Sequence, residues 1–294
     1  MENKAYKAYI ALTERTDEIG RFITMIVSSN LTITRGKPPA TPLYHYTSLK
    51  SVHDIIQSKT LRANHLSYSN DREEYILAIK MARDVLSTRC KVTTDSRKQQ
   101  FYNDCLTLLK DETPYASHII CFSEEKDLLS QWRAYGGYNI EFNSQDLFDI
   151  AKPFFVMRQC IYDLNKQRSI LEEIVDFYET DLHDPLEDVV NFLCYHVGEA
   201  AVCFKHESFR EEKEWRLIGG SGNHRKFKAD GSVLKPYSEF ELLRENLCIS
   251  GITLGPNNSQ ALAEQSLKWF VSDQERENEN RKWEVYVSQS PLVT

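Results

Sequence analysis

The chain has 294 residues, of which 41% are hydrophobic and 27% charged. This is the make-up of a folded globular protein of one large domain or two small ones. No apolar run reaches the roughly 20 residues of a membrane helix, and Met1-Glu2-Asn3-Lys4-Ala5-Tyr6 lacks the basic-then-apolar pattern of a secretory signal, so a cytoplasmic protein without a membrane partner is expected. With 36 basic against 43 acidic residues the formal charge is −7, which excludes a global attraction to nucleic acid or anionic lipid but not a local basic patch.

Residues 1–40 read as an appended helix and a linker. Ile19, Phe22, Ile23 and Ile26 fall at the spacing of an amphipathic stripe, and Gly36-Lys37-Pro38-Pro39 reads as a loop. The body then begins with an aromatic strand, Leu43-Tyr44-His45-Tyr46-Thr47-Ser48. It runs into a helix whose apolar face is Val52, Ile55 and Ile56, with Thr47 or Ser48 as N-cap. The turn-rich run Leu66 to Asp71 precedes a helix carrying Tyr75, Ile79, Ala82 and Leu86, and a polar helical stretch follows to about Glu112.

Ala116 to Phe122 is a strand candidate, followed by a polar helix entry from Ser123 to Asp127. Tyr138-Asn139-Ile140-Glu141-Phe142 alternates as a half-buried strand does. Residues 144–201 read as a mostly helical insertion, with Leu164, Leu171, Ile174, Val175 and Tyr178 as its apolar positions. Strands return at Glu214–Ile218, Leu247–Leu254 and Trp283–Val287. A helix from Ala261 to Phe270 and a charged turn from Asp273 to Lys282 lie between the last two. The elements lack the regular alternation of a doubly wound fold, so the class is α+β with a mostly antiparallel sheet.

The usual signatures are missing. There is no phosphate loop, no dinucleotide glycine fingerprint, no nucleophile elbow and no His-Glu-x-x-His. The seven cysteines are scattered singly with no Cys-x-x-Cys pair, which argues against a disulfide framework and gives no spacing for a metal; Cys121 reads as a small buried hydrophobe.

Two clusters stand out. In Tyr44-His45-Tyr46-Thr47-Ser48 a histidine lies between two tyrosines ahead of a helix, either as a donor beside a stacking surface or wedged in a small aromatic core. In Phe209-Arg210-Glu211-Glu212-Lys213-Glu214-Trp215-Arg216 three carboxylates precede a strand. On a continuous strand Glu212 and Glu214 would share a face and repel unless a cation intervenes. The alternative is a solvated loop.

Together with Cys121-Phe122-Ser123 and Leu128 to Gly136, these segments resemble a bacterial family of unknown function over roughly residues 42–290. The run Leu128-Leu129-Ser130-Gln131-Trp132-Arg133-Ala134-Tyr135-Gly136 is the most specific part. That family in turn resembles a divergent branch of the ADP-ribosyltransferase fold, in its His-Tyr-Glu class. The resemblance implies a split, mostly antiparallel sheet over residues 41–294 that takes NAD as substrate. It makes His45 the donor to the adenosine ribose, places the Tyr46 backbone at the nicotinamide, counts Thr47 among the NAD-binding residues, and makes Trp132 (or Tyr135) the stacking aromatic. It implies Glu214 as the catalytic carboxylate. Where that class has its second tyrosine this chain has Cys121 or Phe122, and Ser123 with Glu212-x-Glu214 is also similar to the Arg-Ser-Glu class.

On that resemblance Glu214 would stabilise the oxocarbenium-like state through the ribose 2′-OH, a contact of about 3–4 kcal/mol. Trp132 would stack on the cationic nicotinamide for about 0.5–2 kcal/mol. Arg133 would hold the pyrophosphate and Glu212 would position the acceptor. The implied activity is transfer of ADP-ribose to a macromolecule by a toxin or anti-phage effector with a neutralising partner. Nucleic acid, RNA first, is favoured slightly over protein, with a groove of Arg62, Arg72, Arg210 and Arg216 to hold it. An inactive module that binds NAD or ADP-ribose is the alternative, and a nuclease is the weakest reading.

Overall fold

The computed structural model describes residues 38–69, 72–109, 117–151, 155–180, 182, 185–220, 226–257 and 259–291. The helix expected around Ile19 to Ile26, the Asn70-Asp71 turn and the positions Glu112 and Ala116 lie outside them. The described residues divide into two compact units, one within 65–117 and 160–209 and one within 36–64, 118–159 and 210–294.

The second unit is built on a sheet. Its strands, with the flanking helices, are β1 (Leu43–Thr47), α1 (Leu49–Ser58) and β2 (Thr60–His65). The first unit contributes α2 (Arg72–Val92) and α3 (Ser96–Leu108) before the chain returns in β3 (Ser117–Ser123), α4 (Leu129–Tyr135), β4 (Tyr138–Phe142), α5 (Ser144–Ala151) and β5 (Phe155–Gln159). After α6 (Leu164–Thr180) and α7 (Leu186–Ala201) of the first unit come β6 (Glu214–Gly220), β7 (Lys226–Asp230), β8 (Val233–Glu241), β9 (Ile249–Leu254), α8 (Gln260–Glu277) and β10 (Glu284–Val287). Among the described residues the sheet runs β10-β9-β4-β1-β3-β2-β8-β7, with β6 pairing β3 and β5. The pairs β1–β4, β4–β9, β2–β8, β7–β8 and β5–β6 are antiparallel and β9–β10 is parallel. The fold is α+β with a mostly antiparallel open sheet.

One sheet face carries the core. Leu43, Ile120, Phe122, Ile140, Phe142, Met157, Trp215, Leu217 and Ile252 point to it and meet Val52, Ile55 and Ile56 of α1 and Leu267 and Val271 of α8. Helix α1 starts where the sequence places it, because the Ser48 hydroxyl accepts from the Ser51 N–H at 3.2 Å. It stops at Lys59, whose φ of 57° turns the chain into β2.

In the first unit α2, α3, α6 and α7 pack on one another. Tyr75, Ile79, Ala82, Leu86, Ile174, Val175 and Tyr178 are buried as the periodicity requires, whereas Leu164 is exposed at the first position of α6. Arg89 bridges Asp176 and Glu179, and the Lys98 Nζ donates to the same Glu179 at 2.6 Å.

Several expectations are corrected. Ser123 ends β3 and residues 124–128 form a loop, so the helix begins only at Leu129. The helix α8 continues to Glu277, because Val271 and Gln274 still face inward, so only the last residues of 273–282 form a charged turn. All five residues of β4 are buried, since β1 and β9 flank it and the 124–128 segment covers its polar face. The strands β2 and β5 and the β7–β8 hairpin were not expected, and β5 interrupts the helical reading of 144–201.

Candidate functional site

The side chains that matter lie in the second unit, on the sheet face opposite the core. Alternation along β1 sends Leu43, His45 and Thr47 to one side and Tyr44 and Tyr46 to the other. Tyr44 and Tyr46 form a small cluster with Trp132 and Leu128. The Tyr46 ring meets Trp132 edge-on at 4.6 Å, and its hydroxyl donates to the Glu125 carbonyl at 2.6 Å while accepting from the Leu128 N–H at 3.0 Å. A glycine is required behind the indole: a Cβ on Gly255 would sit 2.8 Å from Trp132 Cε3.

Asp127 holds the front of this cluster. Its carboxylate accepts from Trp132 Nε1 at 2.7 Å, from the Ser288 and Ser290 hydroxyls at 2.5 and 2.9 Å, and from the Gln289 N–H at 2.7 Å. Burial pushes this carboxyl up, but the four donors outweigh it and hold it below its ordinary range. Beside it the Lys126 Nζ donates to Glu141 at 2.9 Å and lies over the Tyr286 ring. The Tyr44 phenol is pushed up to about 12, first by burial and then by the charge of Glu141.

The second cluster joins β3 to β6. Ser123 is the cross-strand partner of Tyr44, and its hydroxyl donates to the Glu212 carbonyl at 2.5 Å and accepts from the Glu125 N–H at 2.9 Å. The Glu124 N–H donates to the Lys213 carbonyl, and the Glu124 carboxylate accepts from Trp215 Nε1 at 2.6 Å. The chain needs these ties because Lys213 sits at φ 42°, a left-handed conformation that costs a β-carbon-bearing residue energy. Glu212 therefore ends a 3-10 turn and is not on the strand, so the expectation that it shares a strand face with Glu214 fails.

Glu214 opens β6, with Trp215 and Leu217 turned to the core and Glu214 and Arg216 away from it. The Arg216 Nε donates to Glu214 Oε1 at 2.7 Å and its Nη2 to Oε2 at 3.2 Å, a two-pronged pair whose side chains are 1% and 4% exposed. Arg216 is the cation that the run of acids demands. Across β5–β6 the residue opposite Arg216 is Arg158, which is also buried.

The structure thus brings Tyr46, Trp132 and Ser123 to one sheet face, with Glu212 tied to Ser123 and Glu214 two residues further on. His45 is not among them. It points to the other face, 5.7 Å from the Phe122 ring, and its Nδ1 lies 2.9 Å from the Cys121 carbonyl. Burial lowers its basicity and the carbonyl opposes this only in part, so the neutral ring donates from Nδ1 and its Nε2 is an acceptor. Its expected role as a donor to ribose does not suit that tautomer. Cys121 is partly exposed, not buried as expected.

Thr47 is buried against Gly136, whose Cβ would fall 2.8 Å from the Thr47 carbonyl. Arg133 is exposed, and Tyr135 is 39% exposed against 6% for Trp132. Of the two candidate stacking aromatics, Tyr135 is the more exposed. Asp127, Lys126 and Arg158 were missed. A carboxylate directly before the Leu128–Gly136 run was the one available signal for Asp127, and Arg158 lies on a strand that the helical reading hid.

Residues 131–217 match the model of a family described as a protein of unknown function, DUF2971. The matched segment holds Trp132, Gly136, Arg158, Glu214 and Arg216, and it leaves out β1 with His45. No curated protein and no solved structure matches the chain.

Proposed function

We propose that the chain is an NAD-consuming ADP-ribosyltransferase with an ADP-ribosyltransferase-like split sheet. It would serve as a toxin or anti-phage effector held in check by a neutralising partner. The observation that carries this reading is Glu214, a buried carboxylate fixed in the fork of Arg216 at the first position of β6, beside the Ser123–Glu212 tie. The fork aims the carboxylate, and a carboxylate is the group that accepts from a sugar hydroxyl.

As nicotinamide departs with the electron pair of the C–N bond, positive charge develops on the ribose. A fixed carboxylate bonded to the 2′-OH gains attraction at that moment, which lowers the barrier. The acceptor's oxygen or nitrogen then bonds to the ribose carbon and loses its proton, for which Glu212 is the nearby base. The products are ADP-ribosylated acceptor, nicotinamide and a proton. RNA is the favoured acceptor, with protein the other class, and Trp132 or Tyr135 is the stacking ring.

A second reading is a non-catalytic NAD or ADP-ribose binding module. The sealed Trp132, spent on Asp127, Tyr46 and Gly255, favours it.

Incubation of the purified chain with labelled NAD and cell lysate separates the two readings, with Glu214→Ala as the comparison. Label on RNA, DNA or a protein band that disappears in the variant establishes the transferase and its acceptor class. A folded protein that binds NAD but releases no nicotinamide and transfers no label refutes the transferase and leaves the binding module.

A further inference from the structure

Arg158 has no part in the scheme above, yet it is 93% removed from solvent by its 7% residual exposure, and its Nη1 is buried without a hydrogen-bond partner. No carboxylate of the described residues pairs with it. A guanidinium is never deprotonated in a protein, and burying one of its N–H groups without an acceptor costs more than leaving it in water. The fold nevertheless places it there, directly across the β5–β6 ladder from Arg216. Directly opposed residues of an antiparallel pair share a face, so two guanidinium groups are neighbours on the side that carries Glu214.

The unmet donor sets the chemistry of the missing group. Arg216 and Glu214 are joined by two hydrogen bonds. Arg158 leaves at least one buried N–H donor to be met. A forked donor suits a pair of oxygens on one atom, as in a phosphoryl group.

We propose that Arg158 is the phosphate-binding residue of a site for a dinucleotide pyrophosphate, next to the Glu214–Arg216 pair on the same face of β5 and β6. The choice of a pyrophosphate over another anion rests on the NAD reading of Glu214; the demand for an anion rests on Arg158 alone. The assignment moves the pyrophosphate contact from the exposed Arg133 to a residue that is already desolvated, where a charge-assisted bond is strongest.

The test is calorimetric titration of the whole chain with ADP-ribose, with adenosine as the uncharged probe and sodium acetate as the carboxylate probe. Wild type is expected to bind ADP-ribose and neither of the others. Arg158→Gln is expected to bind it at least roughly tenfold more weakly, the effect of losing one charge-assisted contact. Arg276→Gln, which removes an exposed charge on α8, is expected to leave binding unchanged.

Should Arg158→Gln fail to fold, Arg158→Lys keeps the stem and the charge, and the same loss is expected because an ammonium lacks the fork. No binding of ADP-ribose to wild type, equal binding by a folded Arg158 variant, or equal binding of acetate overturns the site. Arg158-dependent ADP-ribose binding without NAD consumption by wild type retains the site and refutes the transferase. NAD consumption that is indifferent to Arg158→Gln refutes the site and retains the transferase.

Discussion

Arg216 is among the largest fully buried side chains of the chain, and its charge is met by a carboxylate two residues away. Removing one member of such a pair leaves the other charged and desolvated, whereas removing both restores an apolar contact. Arg216→Met is therefore expected to destabilise the fold by about 3–5 kcal/mol. The double variant Glu214→Met with Arg216→Met is expected to recover most of that loss, measured by denaturant unfolding. Equal instability of the single and double variants would show that the pair is not held as described.

His45 gives the pH dependence at the same scale. Its folded-state basicity lies below the ordinary value of 6.5, so between those two points only the unfolded chain takes the proton. Its contribution is complete above pH 6.5 and is lost as the pH falls toward the depressed value, by roughly 1.4 kcal/mol for each pH unit between the two. His45→Gln should flatten that part of a stability-versus-pH curve. The strand β1 was half legible: the aromatic-histidine run announced it, but which side of it the imidazole takes depends on register with β3 and β4.

At the scale of elements, the turn from α4 into β4 shows why some features were readable. Gly136 has φ 127° and lies with a notional Cβ 2.8 Å from the Thr47 carbonyl, so only glycine can end this helix. Gly136→Ala is expected to cost about 1–3 kcal/mol and to lower the thermal midpoint accordingly. Asp127 shows the converse. Nothing local announces that it collects donors from residues 288–290, which are far away in sequence. Asp127→Ala is expected to cost about 1–2 kcal/mol, discounted for its exposure. It should also quicken hydrogen exchange at residues 284–290; unchanged exchange there would mean that Asp127 does not latch the C-terminal strand.

The helices with an apolar stripe, α1 and α2, were found because a 3.6-residue period is a local property. The strands β2 and β5 and the β7–β8 hairpin were not. β7 is exposed along its whole length and β5 carries buried Arg158, so neither displays the alternation that marks a strand. Pairing partners define them, and those partners are remote: β2 lies on β8 and β5 on β6.

At the scale of the whole molecule, each compact unit is assembled from separated stretches of chain, and the sheet unit needs its last stretch most. Residues 210–294 supply β6 to β5, β8 to β2 and β9 to β4. A chain cut after residue 209 is expected to lose the sheet signal in circular dichroism. A truncated protein that retains it would show that β1, β3 and β4 suffice.

The sequence by itself determined the α+β class, the strand at Leu43 to Thr47 and the capped helix after it, because composition, periodicity and capping act within a few residues. Only the tertiary structure decided that Arg216 answers Glu214, that Trp132 is sealed by Asp127, that His45 faces the other way and that Arg158 is left facing Arg216 without an acceptor. Burial, charge pairing and strand register arise between segments that meet only when the sheet closes.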